Sequence, residues 1–101
     1  MKNLSKFIAE VEKNIIDDAD LSIVTAEHYR TDELFYFHEI DECYLELEVR
    51  LYLKRELNNN VFLDMELVSA EYYEEEEEIS ISDKNWERIQ SELINIFKNR
   101  F

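Results

Sequence analysis

Among its 101 residues the chain has no glycine, no proline, one cysteine, and no positively charged residue between Arg55 and Lys84. Without glycine there is no phosphate-cradling P-loop, dinucleotide fingerprint, G-x-S-x-G nucleophile elbow or EF-hand loop, because each needs backbone that glycine supplies at least steric cost. Without proline there are no P-x-x-P ligands and no cis-proline turns. A lone Cys43 cannot form an internal disulfide, which excludes a small secreted scaffold held by cross-links. No apolar run approaches the ~20 residues of a membrane span. Acids within the opening MKNLSKFIAEVEK interrupt any apolar core of a signal peptide. A soluble, cytoplasmic protein with no membrane partner is expected.

What is present is enough to fold. Hydrophobic residues make up 46% and aromatics 13%, so a core can form even though 36% of residues are charged. The length fits a single domain over residues 1–101. From Asn3, a candidate N-cap, apolar residues fall at Leu4, Phe7, Ile8, Val11, Ile15 and Ile16, the spacing of an amphipathic helix over about residues 4–17. At the other end, Ser82 or Asp83 can cap a helix whose apolar positions are Trp86, Ile89, Leu93, Ile94, Ile96 and Phe97. Lys98 and Arg100 suit the negative end of its dipole.

The middle reads as strands. Residues 21–30 are β-compatible through Ile23, Val24 and Thr25, and Thr31-Asp32 forms a natural turn before the aromatic run Leu34–Ile40. From Cys43 the alternation is clean: Leu45, Leu47, Val49, Leu51 and Leu53 on one face, Tyr44, Glu46, Glu48, Arg50, Tyr52 and Lys54 on the other. Asn58, Asn59 and Asn60 offer the left-handed backbone of a hairpin. The return strand places Val61, Leu63, Met65 and Leu67 opposite in face to Asp64 and Glu66, continuing through Val68, Ala70 and Tyr72. After the acidic run, residues 79–82 either form a last short strand or extend the previous one around a bulge. The expected fold is α+β, an antiparallel sheet of four to five strands in the order α-β-β-β-β(-β)-α, covered on one face by the N- and C-terminal helices.

The net charge of −14 is unevenly placed: −2 over residues 1–20, −5 over 21–57, −8 over 58–82 and +1 over 83–101. Glu46 and Glu48, like Asp64 and Glu66, lie two residues apart on one strand face, about 6.7 Å along the chain. A run of charge such as Glu74–Glu78 can be a solvated loop and nothing more. Regular carboxylates on a rigid sheet, however, resemble a phosphate backbone in charge spacing. Uncompensated like charge also costs stability, a cost that a basic partner relieves. Direct binding of DNA or RNA is not expected, since phosphate contacts need Lys and Arg.

Candidate chemistry is sparse. The six residues from His38 to Cys43 gather several ligand types, but the zincin pattern needs a second histidine where Glu42 stands, and on a strand His38 and Glu42 are about 13 Å apart. His38 then reads as an ordinary strand residue and Asp41-Glu42 as a turn. Asp64-Met65-Glu66 offers acids but no nearby lysine for two-metal phosphodiester chemistry. Cys43 or a serine with His28 or His38 makes no defined triad, and Cys43, heading the apolar ladder, reads as a small buried hydrophobe. No catalytic residue, metal or cofactor is expected, and the chain is read as a non-enzyme. Of the consecutive Phe35, Tyr36 and Phe37, at least one must point away from a one-sided core. Tyr44, Tyr52 and Tyr72 fall on expected polar faces, as cross-strand partners or as anchors of an interface.

In composition, though in no motif, the chain resembles the acidic DNA-mimic inhibitors of phages and mobile elements. That resemblance implies a non-catalytic protein occupying the basic surface of a nucleic-acid-handling partner. The expected contact residues are Glu46, Glu48, Asp64, Glu66, Tyr44 and Tyr52 on the sheet, with Glu71, Glu74, Glu75, Glu76, Glu77 and Glu78 in a loop over residues 71–78. Alternatives are an immunity protein, antitoxin or secretion chaperone holding a basic protein, and then a viral assembly protein. A homodimer would have to avoid residues 58–82.

Overall fold

A computed structural model describes residues 1–17, 29–57 and 59–101. It has helix α1 (Leu4–Asp17), strands β1 (Tyr29–Ile40), β2 (Cys43–Glu56), β3 (Asn59–Glu74) and β4 (Glu77–Ile79), and helix α2 (Asp83–Arg100). The strands form one antiparallel sheet in the order β1-β2-β3-β4. The fold is α+β, in the order α-β-β-β-β-α.

Both helices cover one face. The α1 stripe buries Leu4, Phe7, Ile8, Val11 and Ile15, while Ile16, expected in that stripe, lies on the solvent side. Asn3 precedes the helix at φ 61, and its carbonyl accepts the Phe7 N–H at 2.9 Å. The α2 stripe buries Ile89, Leu93 and Phe97. Its N-cap is Ser82, whose hydroxyl accepts the Asn85 N–H at 3.2 Å, satisfying an otherwise unpaired donor of the first turn. The sheet meets the helices with Cys43, Leu45, Leu47, Val49, Leu51 and Leu53 of β2, every second residue and all buried.

β3 departs from simple alternation. Its register against β2 shifts between Glu48 and Val49 and between Tyr52 and Leu53, so Val68 and Leu63 are each an extra residue. Each bulge resets which residues point inward. Phe62, Met65, Leu67, Ala70 and Tyr72 pack into or against the core, whereas Val61, Leu63 and Val68 are exposed. The expected inward set Val61, Leu63, Met65 and Leu67 is therefore only half right. Tyr72, expected on a polar face, is 1% exposed and sets its ring edge-on to Phe7 at 6.3 Å.

Three turns also differ from expectation. Thr31 and Asp32 continue β1 instead of turning, paired with Tyr52 and Leu51. Asn59 and Asn60 are already in β3, and Leu57 is the neighbouring residue with positive φ, at 46; Asn58 lies outside the described residues, as does the stretch 18–28 that holds most of the expected strand at 21–30. The segment 71–78 is no loop: it is the end of β3, the two-residue turn Glu75-Glu76 and the start of β4. Residue 79 closes β4, so the last strand is separate and short.

Candidate interaction surface: the open face of the sheet

With both helices on one side, the other face of the sheet is uncovered by any described element, and alternation decides what it carries. In β1 the register sets Tyr36 against the inward Leu47, so Phe35 and Phe37 point outward with Glu33 and Glu39. Tyr36 is buried, while Phe35 is 71% and Phe37 56% exposed. β2 contributes Tyr44, Glu46, Glu48, Arg50, Tyr52 and Lys54. β3 contributes Asp64, Glu66, Ser69, Glu71 and Tyr73, and β4 adds Glu78 opposite Tyr73. Among the described side chains of this face, carboxylates stand at 33, 39, 46, 48, 64, 66, 71 and 78, against the cations Arg50 and Lys54.

Arg50 is the hub of one row. Its guanidinium reaches Glu33 of β1 at 3.2 Å and Glu66 of β3 at 3.7 Å, and Tyr52 donates its hydroxyl to Glu66 at 3.4 Å. Bonding with Tyr52 and then with Glu33 holds the Arg50 guanidinium above its ordinary pKa. Two rows along, no cation intervenes. Glu46 and Glu71 are directly opposite in register, where side chains sit about 5 Å apart and like charges destabilise. Between those rows Ser69 donates to Glu48 at 3.5 Å. Tyr73 donates to Glu71 at 2.9 Å, and that bond, with partial burial and the neighbouring Glu78 and Glu46, pushes its phenol up to about 12. Phe37 stacks on Tyr44 at 5.9 Å, and a shallow recess of about 290 Å³ lies beside Phe35, Phe37, Glu46, Glu48 and Glu71.

The acidic face runs on past one end of the sheet. The β1–β2 turn places Asp41 and Glu42 at φ 49 and 63, and the β3–β4 turn places Glu75 and Glu76 at φ 49 and 70. Positive φ at both central residues is the geometry of the tight hairpin turn normally filled by Asn-Gly; here carboxylate residues fill it twice. The turns touch, with the Glu75 N–H donating to the Glu42 carbonyl at 3.2 Å.

The expected contact residues thus divide. Tyr44, Glu46, Glu48, Tyr52, Asp64, Glu66, Glu71 and Glu78 share the open face, and Glu75 and Glu76 rim it. Glu74 and Glu77 do not join them: they pair with each other in register and line a separate recess with Lys2, Asn3, Asp41 and Cys43. There Glu74 accepts the Tyr72 hydroxyl at 2.7 Å while that oxygen accepts the Lys2 N–H at 3.1 Å. Desolvation, followed by bonds to Cys43 and Glu74, pushes the Tyr72 phenol up. Residues absent from the expected surface are Glu33, Glu39, Glu42 and Tyr73. The alternation of β1 would have placed the first two had the strand not been broken at Thr31-Asp32.

His38 faces α1 and meets Asn14 across 3.1 Å, and partial burial lowers its pKa against the raising effect of Glu10. Among the described residues no group of three His, Cys, Asp or Glu is arranged to hold a metal ion. No described helix is long and apolar enough to cross a membrane. No family model, curated protein or solved structure matches the chain.

Proposed function

We propose that the chain is a non-catalytic binding protein whose open sheet face occupies the basic surface of a nucleic-acid-handling protein. The observation that carries this reading is the uncompensated acid on a rigid face, above all the direct Glu46–Glu71 opposition, where a cation would have stabilised the sheet. Self-repulsion of this kind lowers the stability of the free protein and is relieved when a partner's lysines and arginines arrive. Carboxylates about 4.8 Å apart across strands and about 6.7 Å apart along them give those cations a regular array, as a phosphate backbone does. Tyr44, Tyr52, Tyr73 and the exposed Phe35 and Phe37 add aromatic surface that guanidinium groups stack upon.

A second reading keeps the face and changes the partner: an immunity protein, antitoxin or secretion chaperone that holds a basic protein with no nucleic-acid site. The 71% exposure of Phe35 favours it, since an aromatic anchor is a feature of protein interfaces that a phosphate mimic does not need. Binding to purified nucleases and other DNA- and RNA-binding proteins separates the two. For the first reading, affinity falls as salt rises, nucleic acid competes, and the quadruple variant Glu46→Gln, Glu48→Gln, Asp64→Asn, Glu66→Gln binds at least tenfold more weakly. A bound partner indifferent both to competing nucleic acid and to that variant refutes the mimic.

A further inference from the structure

We propose that β1 pairs antiparallel with β1 of a second copy of this chain, about a two-fold axis through Phe35, joining two sheets into one of eight strands. This goes beyond the acidic face and does not depend on its partner. Among the described residues β2 is the sole strand paired with β1, and no described strand pairs with the outer edge of this twelve-residue strand. Such an edge templates another strand unless something blunts it. The opposite edge of the sheet is blunted three ways. β4 covers Tyr72–Glu74, bulges at Leu63 and Val68 break its regularity, and residues 58–82 carry eight acids and no base. β1 has no register shift against β2, and over residues 29–40 it holds three acids, one arginine and His38. It is the edge on which two chains of charge −14 can meet.

Charge and aromatic pairing together select the register: centring the pair on Leu34 also opposes no two carboxylates, but it sets each exposed Phe35 against Glu33 of the second copy. Centring the pair on Tyr36 sets Glu33 opposite Glu39 of the second copy, and centring it on Phe37 sets Glu33 opposite Asp41. Centring it on Phe35 sets no carboxylate position against another across residues 30–40: in register, Glu33 pairs with position 37, position 32 with position 38 and Glu39 with position 31. Leu34 then faces Tyr36 on the covered side, and the two copies of the exposed Phe35 meet on the open side. Aromatic pairs directly opposite across a ladder are among its more stabilising contacts. The same step turns two acidic faces into one continuous surface.

Sedimentation and cross-linking test the proposal. The native chain is expected to sediment as a dimer that tightens at about 1 M salt, where screening within about 3 Å removes the repulsion between copies. Binding of a basic partner would weaken under the same change, so the two ideas fail separately. Directly opposite residues have Cα atoms about 4.5–5.5 Å apart, within the range a disulfide spans. Phe35→Cys should therefore form a disulfide dimer on mild oxidation. Phe37→Cys, about 13 Å from its own copy in this register, and Val68→Cys on β3 should not. Phe35→Glu with Phe37→Glu should sediment as a monomer with an unchanged circular dichroism spectrum, because both side chains are exposed. A native chain that stays monomeric at high concentration and high salt overturns the proposal. So does cross-linking through Phe37→Cys or Val68→Cys as fast as through Phe35→Cys.

Discussion

Replacing Glu76 by glycine should make this protein more stable, although glycine usually weakens a folded chain. Glu76 sits at φ 70 in the β3–β4 turn, and a residue with a β-carbon in left-handed backbone costs about 1–2 kcal/mol. Glycine removes that cost but gives the unfolded chain more freedom, which offsets about 0.5–1 kcal/mol. The net gain is about 0.5–1 kcal/mol. Adding Glu75→Asn at φ 49 completes the Asn-Gly pair that this turn favours, and the combined gain should reach about 1–2 kcal/mol. Nothing else is lost, since both side chains are exposed and the bond from Glu75 to Glu42 is between backbone atoms. In a domain of this size each kcal/mol moves Tm by about 4–8 °C. Urea titration followed by circular dichroism should show a raised midpoint with an unchanged slope. Glu77→Gly is the control: it removes the same charge from β4, where φ is not positive, and should lower the midpoint. If Glu76→Gly lowers it as Glu77→Gly does, the backbone reasoning is wrong. If both raise it, charge relief and not conformation is the cause.

Phe7→Ala should cost about 3–5 kcal/mol in the same titration, because Phe7 is fully buried and holds the edge-on contact with Tyr72 that joins α1 to the sheet. An ultraviolet titration should show the Tyr73 phenol ionising near pH 12, with Tyr72 also raised, and Glu71→Gln should bring Tyr73 back toward 10 while leaving Tyr72 raised. Because the Tyr73 pKa is raised in the folded state, the associated stability is complete below pH 10 and is lost as pH rises through 12. His38 runs the other way. Its folded pKa is lowered, so its contribution is present above pH 6.5 and is lost as pH falls through the folded value; a His38→Gln variant should lose that part of the acid-side slope.

The sequence made the helices and β2 legible because in each a single period governs burial. Leu45 to Leu53 alternate without exception, and Phe7, Val11 and Ile15 recur at four-residue intervals. β3 was half legible: two bulges change the parity between Phe62 and Tyr72, and nothing in the residue types of Leu63 or Val68 marks them as supernumerary. The turn residues misled where local preference and pairing disagreed. Thr31-Asp32 has turn chemistry but lies opposite Tyr52 and Leu51 in a ladder that continues on both sides, and pairing wins. The acidic face was visible in β2 and in most of β3, where Glu46, Glu48, Asp64 and Glu66 alternate with buried residues. The acid run at 74–78 was not, because a two-residue turn folds it back on itself and sends Glu74 and Glu77 to the side away from Glu78.

The two bulges bear on shape as well as on burial. An inserted residue increases the local right-handed twist and bends the strand that carries it, and β3 has two such points on either side of Asp64 and Glu66. The carboxylates therefore stand on a coiled ribbon and not on a plane, each row rotated from the last. A flat basic plate could engage one row at a time. A partner able to neutralise Glu48, Glu66 and Glu71 together needs cations that wind with the ribbon, as the wall of a groove does, and a designed binder or decoy would need that winding before it needed any particular side chain.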